Sequence, residues 1–432
     1  MKIRYVLAST IALALAMAAL TPAAASAGNG LAAGGGSSGS VDPAVASLAA
    51  DLGLSISEAE KRNDWQHRAL QLDAALRHSM ADSFAGVWVD EENGGRVKIG
   101  VAGQAPLPDQ ARRDIVALGL QDATDLVRVK FSWNDLLVMS PLLSQQLKAA
   151  NRGSDVQLTP FFEPQYNRVA LYVPQAGMTS AQQDVVAQAR ARFSDRVRFV
   201  SYSGRINQTR CALIGTYDCD APLRGGVSLY INTSQFQCST AFNARSVSDG
   251  KWYVMTAAHC GAVGTDFWAY QPDKAVFSKI GPMHSRGNPD LANDYGIITV
   301  NNPAGLPAGW SPRPWVYVKA STGRGGVAGT TTDYQYTITG TGGSGVGNRV
   351  CAITARTGTS CGRILMVGYP NPGDYAVADY CSYPGDSGGG MVNNHIAMGI
   401  NVGYFGSNNC GQGAYVGITE AQQNLHVSVA TG

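Results

Sequence analysis

The stretch Pro384-Gly385-Asp386-Ser387-Gly388-Gly389-Gly390 places one serine among glycines, and it decides how the C-terminal half is interpreted. Two other segments complement it, namely Thr256-Ala257-Ala258-His259-Cys260 and Asn293-Asp294-Tyr295-Gly296-Ile297. Each segment alone has an ordinary explanation, as a tight loop, a structural histidine or a turn before a strand. Together they supply a hydroxyl, an imidazole and a carboxylate, which are the groups that nucleophilic acyl transfer needs.

The three side chains have complementary roles in such a reaction. Ser387 becomes a nucleophile when His259 removes its proton, because histidine titrates near neutral pH. Asp294 orients the imidazole and stabilises its charged form. Glycines beside the serine leave backbone N–H groups unshielded, so those of Gly385 and Ser387 are predicted to form an oxyanion hole. This chemistry requires no cofactor, and neither a cofactor nor a metal ion is predicted.

These segments resemble those of the chymotrypsin-like (trypsin-like) serine peptidases, and especially the secreted bacterial streptogrisin and α-lytic endopeptidase branch. The likeness covers essentially all of 223–432 and includes Cys381-Ser382-Tyr383-Pro384 and Ile418-Thr419-Glu420-Ala421. The resemblance implies an all-β double six-stranded β-barrel and hydrolysis of polypeptide substrates through an acyl-enzyme. It also implies the catalytic triad His259, Asp294 and Ser387.

The resemblance further implies three disulfides, namely Cys238–Cys260, Cys351–Cys361 and Cys381–Cys410. It leaves Cys211 and Cys219 as a fourth pair. The chain has eight cysteines, which permit many connectivities, so spacing alone does not select this one. Metal binding is the alternative use of cysteines, but the sequence has no Cys-x-x-Cys pair.

The predicted wall of the substrate pocket departs from the bacterial pattern. Those relatives have a serine before two glycines, whereas this sequence has Asn401-Val402-Gly403-Tyr404. Val402 removes a hydroxyl near the triad, and Tyr404 narrows the pocket entrance. We therefore predict a preference for a small or apolar residue before the scissile bond.

A second departure concerns Asp386, which is expected to be buried and to need a cationic partner. The bacterial branch supplies an internal arginine beside the first cysteine of a short hairpin, but Ala352 stands there in this sequence. The candidate cationic partners of Asp386 are instead Arg349, Arg356 or a new N-terminus. Asp290 is a competing orienting residue for His259, although Asn288-Pro289-Asp290 is typical of a turn.

Two alternatives of other classes stay open. Gly385-Asp386-Ser387-Gly388-Gly389 also fits the nucleophile elbow of α/β-hydrolases, but only 45 residues follow Ser387, and that fold needs its acid and histidine after the serine. The other alternative is a catalytically inactive secreted binding protein of the same fold. Such proteins usually lack a triad residue, and all three are present here.

The two parts of the chain differ in composition, which indicates a domain boundary near 205–222. From Leu223 onward lie 34 of the 51 glycines, and all eight cysteines lie at or after Cys211. The part after Leu223 has short β-rich runs separated by Gly, Asn, Pro and Ser, which favours an all-β fold, with a helix only near 419–425. The predicted strands are 226–231, 252–255, 295–300, 315–319, 334–338, 364–369 and 396–402.

Residues 46–205 are predicted to form a small α+β domain. Its elements are a helix capped by Ser57 and Glu60 and running to about His78, a hairpin of 87–89 and 97–101, a strand 167–173, a helix 180–193 after Thr179, and a strand 196–202. The segment 84–91 and its hairpin resemble the pro-regions of the same bacterial branch. The resemblance implies a folding assistant and inhibitor, removed by cleavage near 219–226 within or beside a linker 206–222. The alternative is an unrelated module that binds substrate or the cell wall.

The first residues predict export. Lys2 and Arg4 precede the uncharged run Tyr5–Leu20 and the small residues Ala23–Ala27, which is typical of a secretory signal ending at Ala27. The run is shorter than the ~20 apolar residues of a membrane span. Residues 28–45 are Gly/Ser/Ala-rich and are predicted to be a flexible leader. The predicted product is an extracellular, disulfide-bonded monomer with no membrane or nucleic-acid partner, since its net charge is only +2.

Overall fold

The computed structural model describes residues 41–432 apart from 81, 105, 153, 155, 203–206, 209–221, 232–234, 272–275, 302, 304–305, 307–309, 319–333 and 407–408. The predicted signal (1–27), the leader up to residue 40 and the Cys211–Cys219 pair therefore lie outside the described residues, as does most of the linker. Ser40–Gly432 belong to one compact unit. None of the described helices combines the length and the apolarity that crossing a membrane requires.

The N-terminal region mixes helices and strands, as the sequence predicts. Its helices are α1 (Pro43–Leu52), α2 (Ile56–Ser79), α3 (Asp109–Ala117), α4 (Trp133–Leu137), α5 (Leu147–Ala150) and α6 (Ser180–Phe193), with a π-helical turn at Pro141–Gln146 and a 3-10 turn at Pro164–Tyr166. Its strands are β1 (Phe84–Asp90), β2 (Arg96–Ala102), β3 (Thr124–Val129), β4 (Thr159–Glu163), β5 (Arg168–Pro174), β6 (Val197–Tyr202) and the two-residue β7 (Asn207–Gln208). Helix α1 begins inside the stretch 28–45 that the sequence predicts to be a flexible leader.

Local hydrogen bonds explain where α6 begins. The Thr179 hydroxyl accepts a hydrogen bond from the Gln182 N–H, and the Gln182 side chain accepts one from the Thr179 N–H. This reciprocal capping box satisfies two amides that would otherwise lack partners at the helix start. The predicted helix 180–193 is therefore found with the predicted bounds.

The predicted cap of α2 at Ser57 is wrong. The helix is capped by Ser55, whose hydroxyl accepts from the Glu58 N–H at 3.2 Å. Leu54 and Ala59, which flank this earlier cap, both pack into a small apolar cluster with α1. Such contact across a helix start stabilises one cap over its neighbour, and the sequence offers two serines with an acidic residue three positions later.

The C-terminal region is built almost entirely of strands. They are β8 (Ser228–Ile231), β9 (Gln235–Ser239), β10 (Asn243–Ser246), β11 (Trp252–Thr256), β12 (Asp266–Gln271), β13 (Val276–Arg286), β14 (Gly296–Thr299), β15 (Trp315–Val318), β16 (Tyr334–Thr337), β17 (Gly340–Thr341), β18 (Arg349–Thr354), β19 (Gly358–Gly368), β20 (Tyr375–Ala378), β21 (Gly390–Asn393), β22 (Ile396–Tyr404), β23 (Gly413–Gly417) and β24 (Val427–Val429). A 3-10 turn at Ala258–Cys260 and helix α7 (Ile418–Leu425) interrupt them.

Most of these strands belong to two large sheets, whereas β15 and β16 form a separate two-stranded sheet. The order β18-β21-β22-β23-β20-β19 closes on itself, because β18 also pairs with β19, and gives a six-stranded barrel. The other sheet has the order β24-β10-β11-β14-β13-β12-β8-β9, and it forms a half-barrel in the part of the chain that the structure describes. The predicted all-β chymotrypsin-like class is confirmed, with one closed barrel and one half-barrel.

The N-terminal region extends the closed barrel. Strand β4 pairs antiparallel with β19, with Phe162 opposite Val367, and β5 and β6 continue the same sheet. Strand β7 pairs antiparallel with β22, with Gln208 opposite Gly403 and Asn207 opposite Tyr404. Both contacts join backbone hydrogen-bonding groups of one region to those of the other.

Candidate active site

His259 lies in the 3-10 turn that follows strand β11. The turn is held on one side by the disulfide Cys238–Cys260 and on the other by Arg286, whose guanidinium donates to the Ala258 carbonyl at 2.8 Å. His259 is 5% exposed, so its ring is shielded from water. These restraints fix the imidazole relative to the half-barrel.

Asp294 lies directly before β14 and contacts His259 twice. Its Oδ2 is 2.6 Å from the His259 Nδ1, and its Oδ1 accepts a hydrogen bond from the His259 backbone N–H at 2.9 Å. Both side chains are buried. A carboxylate in this position favours the tautomer that carries its proton on Nδ1, which leaves Nε2 as the basic nitrogen.

Asp290, the competing candidate, does not contact His259. Its carboxylate accepts from the backbone N–H of Asn293 at 3.0 Å and from the Asn293 side chain at 2.7 Å. Burial raises the pKa of Asp290, and these hydrogen bonds act in the opposite direction. Asp290 therefore closes the turn that leads to Asp294.

Ser387 lies in a loop that packs against the end of β11. Its carbonyl accepts from the Ser239 N–H at 2.7 Å, and Gly388 follows with a positive φ of 83°. A methyl group at Gly388 would overlap the Thr256 hydroxyl and the Ser239 carbonyl. Glycine is therefore required here, because the serine loop can approach the histidine strand closely only without a Cβ.

The Ser387 hydroxyl lies 3.5 Å from the Val402 carbonyl oxygen. The His259 Nε2 is buried and has no hydrogen-bond partner among the described residues, so a hydrogen bond between Ser387 and His259 is not formed in this arrangement. Such bonds are often long before substrate binds. The predicted oxyanion donors are the backbone N–H groups of Gly385 and Ser387, the residues on either side of Asp386. The Asp386 N–H itself donates to the Tyr383 carbonyl. Gly385 has a positive φ of 105°.

Asp386 is fully buried, but neither predicted arginine approaches its carboxylate. It accepts hydrogen bonds from the Thr354 hydroxyl at 2.6 Å, the Thr357 N–H at 2.9 Å, the Tyr383 N–H at 2.7 Å and the Thr357 hydroxyl. Burial raises the pKa of Asp386, and these donors lower it in part. The expectation of a cationic partner from Arg349 or Arg356 is wrong.

The two arginines bind elsewhere. Arg356 donates to the Pro384 carbonyl, and Arg349 pairs with Glu91 and Asp51 of the N-terminal region. The role of Thr354 and Thr357 was missed because a threonine in a β-hairpin is common, and nothing in its sequence context shows where its hydroxyl is directed.

The three described disulfides are those that the resemblance implies, Cys238–Cys260, Cys351–Cys361 and Cys381–Cys410. Cys381–Cys410 joins the serine loop to the segment between β22 and β23. Cys238, His259 and Cys260 lie close enough together to be considered as ligands of a metal ion. The two cysteine sulfurs are bonded to each other, however, so they offer no thiolate to a metal.

The predicted pocket-wall residues lie at the end of β22. Val402 is 2% exposed, whereas Tyr404 is half-buried. The backbone edge of Gly403 and Tyr404 pairs with β7, so an extended chain can bind there by adding a strand. Ser387 and this edge therefore lie side by side.

The Trypsin family model matches residues 223–426. The chain is 33% identical over 201 residues to Streptogrisin-C of Streptomyces griseus, covering 45% of this chain and 37% of that protein. It is 30% identical over 199 residues to Serine protease 2 of Streptomyces fradiae, covering 44% of this chain and 98% of that protein. The chain thus spans little more than a third of the first relative and nearly all of the second.

Solved structures are similar over about half of the chain. One is a glutamic acid-specific serine protease, with 26% identity, a TM-score of 0.37, and coverage of 48% of this chain and 100% of that one. Another is Thermobifida fusca Protease A, with 23% identity, a TM-score of 0.36, and coverage of 49% and 100%.

Proposed function

Because the chain belongs to the trypsin family of serine peptidases, we propose that residues 223–432 act as a serine endopeptidase with Ser387 as nucleophile. His259 Nε2 accepts the Ser387 proton while the hydroxyl oxygen attacks a peptide carbonyl. The Gly385 and Ser387 N–H groups stabilise the resulting oxyanion, at ~3 kcal/mol per donor. His259 then protonates the leaving amine, and water hydrolyses the acyl-enzyme.

The buried pair of His259 and Asp294 carries this proposal. One ring nitrogen is 2.6 Å from the carboxylate, and the other has no hydrogen-bond partner among the described residues. A buried imidazole with one nitrogen oriented and the other available is a general base. A purely structural histidine would have partners on both sides, because unpaired buried polar atoms are costly.

Active-site labelling tests the proposal. The processed wild-type protein should react with a fluorophosphonate probe, whereas Ser387→Ala should not, and His259→Ala should react at least about a hundredfold more slowly. If processed wild type stays unlabelled, the alternative of an inactive binding protein of the same fold is supported.

We propose that the N-terminal region is a pro-region that assists folding and inhibits the peptidase. Two contacts support inhibition: β4 extends the closed barrel at β19, and β7 lies along the edge of β22 beside Ser387. A β-barrel dominated by non-local strand pairings folds slowly, so a preformed partner that pairs with β19 would speed barrel formation. Expression of 223–432 without the preceding residues should give little active enzyme.

We further propose that the protein is exported and acts outside the cell as a monomer on polypeptides after the pro-region is cut near 219–226. Pro222, Leu223 and Arg224 are all buried, which favours a cut before Pro222. N-terminal sequencing of the secreted form tests this. An active secreted protein that still carries residues 46–200 in covalent linkage would contradict the proposal.

A further inference from the structure

Tyr380 lies beneath the loop that carries Ser387. It is fully buried, between strand β20 and Cys381. Its hydroxyl donates to the Asn401 Oδ1 at 2.6 Å and lies 3.1 Å from the Ala414 carbonyl oxygen. Burial raises the pKa of Tyr380 well above its ordinary value, so the hydroxyl keeps its proton at neutral pH.

The register of β7 on β22 indicates where a substrate side chain would lie. Gln208 is opposite Gly403, so in an antiparallel strand the next substrate position comes opposite Val402. The Val402 carbonyl is 3.5 Å from the Ser387 hydroxyl. A substrate strand bound in this register therefore presents the residue before its scissile bond opposite Val402, beside the Ser387 hydroxyl.

The Tyr380 ring lies beside β22 and β23, because its hydroxyl bonds the side chain of Asn401, the residue before Val402, and the Ala414 carbonyl. The ring lies so close to Gly413 on β23 that a methyl group there would overlap it. The neighbouring Asn401 and Ser382 side chains are fully buried and hydrogen-bonded to each other, with the Asn401 Nδ2 donating to the Ser382 hydroxyl at 3.1 Å. Moving the ring would break the buried hydrogen bond between the Tyr380 hydroxyl and Asn401 and leave the Asn401 oxygen without this donor.

Among the residues that the structure describes, the carboxylates nearest to Tyr380 in the sequence are not available to a basic substrate side chain. Asp379, next to Tyr380, is exposed and accepts from the Arg363 N–H. Asp386 is occupied by the two threonines and two backbone amides described above. An ammonium or guanidinium placed against the Tyr380 ring would lose its hydration without gaining either of these carboxylates as a partner.

We propose that Tyr380 forms the floor of the substrate pocket and restricts the residue before the scissile bond to small uncharged side chains such as glycine, alanine, serine or valine. This inference rests on the proposed peptidase function and names the substrate class of the same site. Tyr380 acts through volume: the ring occupies the place that a larger substrate side chain would need, and the hydroxyl fixes the ring.

Substrate profiling of the processed enzyme tests the inference, using peptides that differ only in the residue before the scissile bond. Wild type should cleave after alanine or valine with a kcat/KM about a hundredfold higher than after phenylalanine or lysine. Tyr380→Ala should raise the phenylalanine-to-alanine ratio of kcat/KM at least tenfold, because it removes the ring. Tyr380→Phe, the matched control, keeps the ring and should keep the wild-type order.

The possible outcomes distinguish a failure of the proposed peptidase function from a failure of the proposed role of Tyr380. Wild type that fails to react with a fluorophosphonate overturns the proposed function. Wild type that reacts but cleaves after phenylalanine or lysine as well as after alanine overturns only the role of Tyr380, and so does a folded Tyr380→Ala with an unchanged profile. If Tyr380→Ala does not fold, the profiles of wild type and Tyr380→Phe decide, since both should reject large residues.

Discussion

Arg349 and Glu91 form an ion pair that is buried on both sides, with the Arg349 Nε 3.2 Å from the Glu91 Oε1. Their side chains are 5% and 3% exposed. Ser47 also accepts from the guanidinium at 3.1 Å, and the Gln66 side chain accepts from the Arg349 N–H at 2.8 Å. All these partners belong to the N-terminal region, so Arg349 of the barrel contacts α1, α2 and the β1–β2 turn of that region at the same time.

Glu91→Ala should destabilise the full chain by about 3 kcal/mol, because removing one partner leaves a buried charge uncompensated. Asp51 remains beside Arg349, which keeps the loss at the lower end of the range for buried pairs. The measurement is urea unfolding of the full chain in a Ser387→Ala background, which prevents self-digestion.

The matched control is Asp195→Ala, which removes the exposed ion pair with Lys130 and should cost less than about 1 kcal/mol. The double variant Glu91→Leu/Arg349→Met should recover at least half of the stability that Glu91→Ala loses. Equal losses for the buried and the exposed pair would contradict the assigned role of Arg349.

Thr354→Val should cost about 1–3 kcal/mol, because it leaves the buried Asp386 carboxylate short of one donor without changing the side-chain volume. The free energy of unfolding in urea measures this. Thr354→Ser keeps the hydroxyl and should recover most of the loss. A Thr354→Val protein within 0.5 kcal/mol of wild type, roughly the scatter for neutral substitutions, would show that the hydroxyl does not support Asp386.

Asp386 should make stability fall with rising pH in the acid range. Burial raises its folded-state pKa above the unfolded value of about 3.9, so the folded state holds the proton more tightly. The associated stability is full below the unfolded pKa and is lost as pH rises through the folded pKa.

Comparison with Asp386→Asn isolates this effect. The difference in unfolding free energy, wild type minus Asp386→Asn, should decrease as pH rises from about 4 through the raised pKa. Urea unfolding in the Ser387→Ala background at several pH values measures it. A difference that increases with pH would mean that the hydrogen bonds to the carboxylate outweigh its burial.

Asp294→Asn should lower kcat by about 10⁴-fold while the protein still folds, because an amide cannot hold His259 in the required tautomer. Asp290→Asn is the control, since Asp290 contacts the turn at Asn293 and not the imidazole; its kcat should change less than about tenfold. Steady-state kinetics on a small-residue peptide distinguish the two. Similar losses for both variants would contradict the assignment of Asp294.

Signals that act over a few residues predicted their elements well. The Thr179–Gln182 box fixed the start of α6, and the glycine-rich turn between Asp90 and Arg96 predicted the β1–β2 hairpin. At α2 two serines each had an acidic residue three positions later, and packing of Leu54 and Ala59 against α1 selected Ser55. That packing depends on α1, which begins inside the predicted leader and was not predicted as a helix, so the sequence pattern could not select Ser55.

The candidate site shows the same difference between features that local sequence signals predict and features that depend on contacts between distant segments. The residues of the His259–Asp294 pair are indicated by short motifs, whereas the surroundings of Asp386 and Arg349 depend on contacts between distant segments. Arg349 is 258 positions from Glu91 in the sequence. Arg349, two positions before a hairpin cysteine, was expected to neutralise Asp386, but the carboxylates that pair with it come from the N-terminal region.

The edge of β19 has a consequence for how activity would develop after the chain is cut. Excision of the N-terminal region would uncover the backbone groups of Val367 and Gly368, and a bare sheet edge is a template for a new strand. Under the proposed processing, the excised fragment would still carry β4, the strand that pairs with this edge, and would remain a ligand of the enzyme. Hydrolysis of the connecting peptide and release of the enzyme would then be separate events, and release would require that the fragment dissociate or be digested.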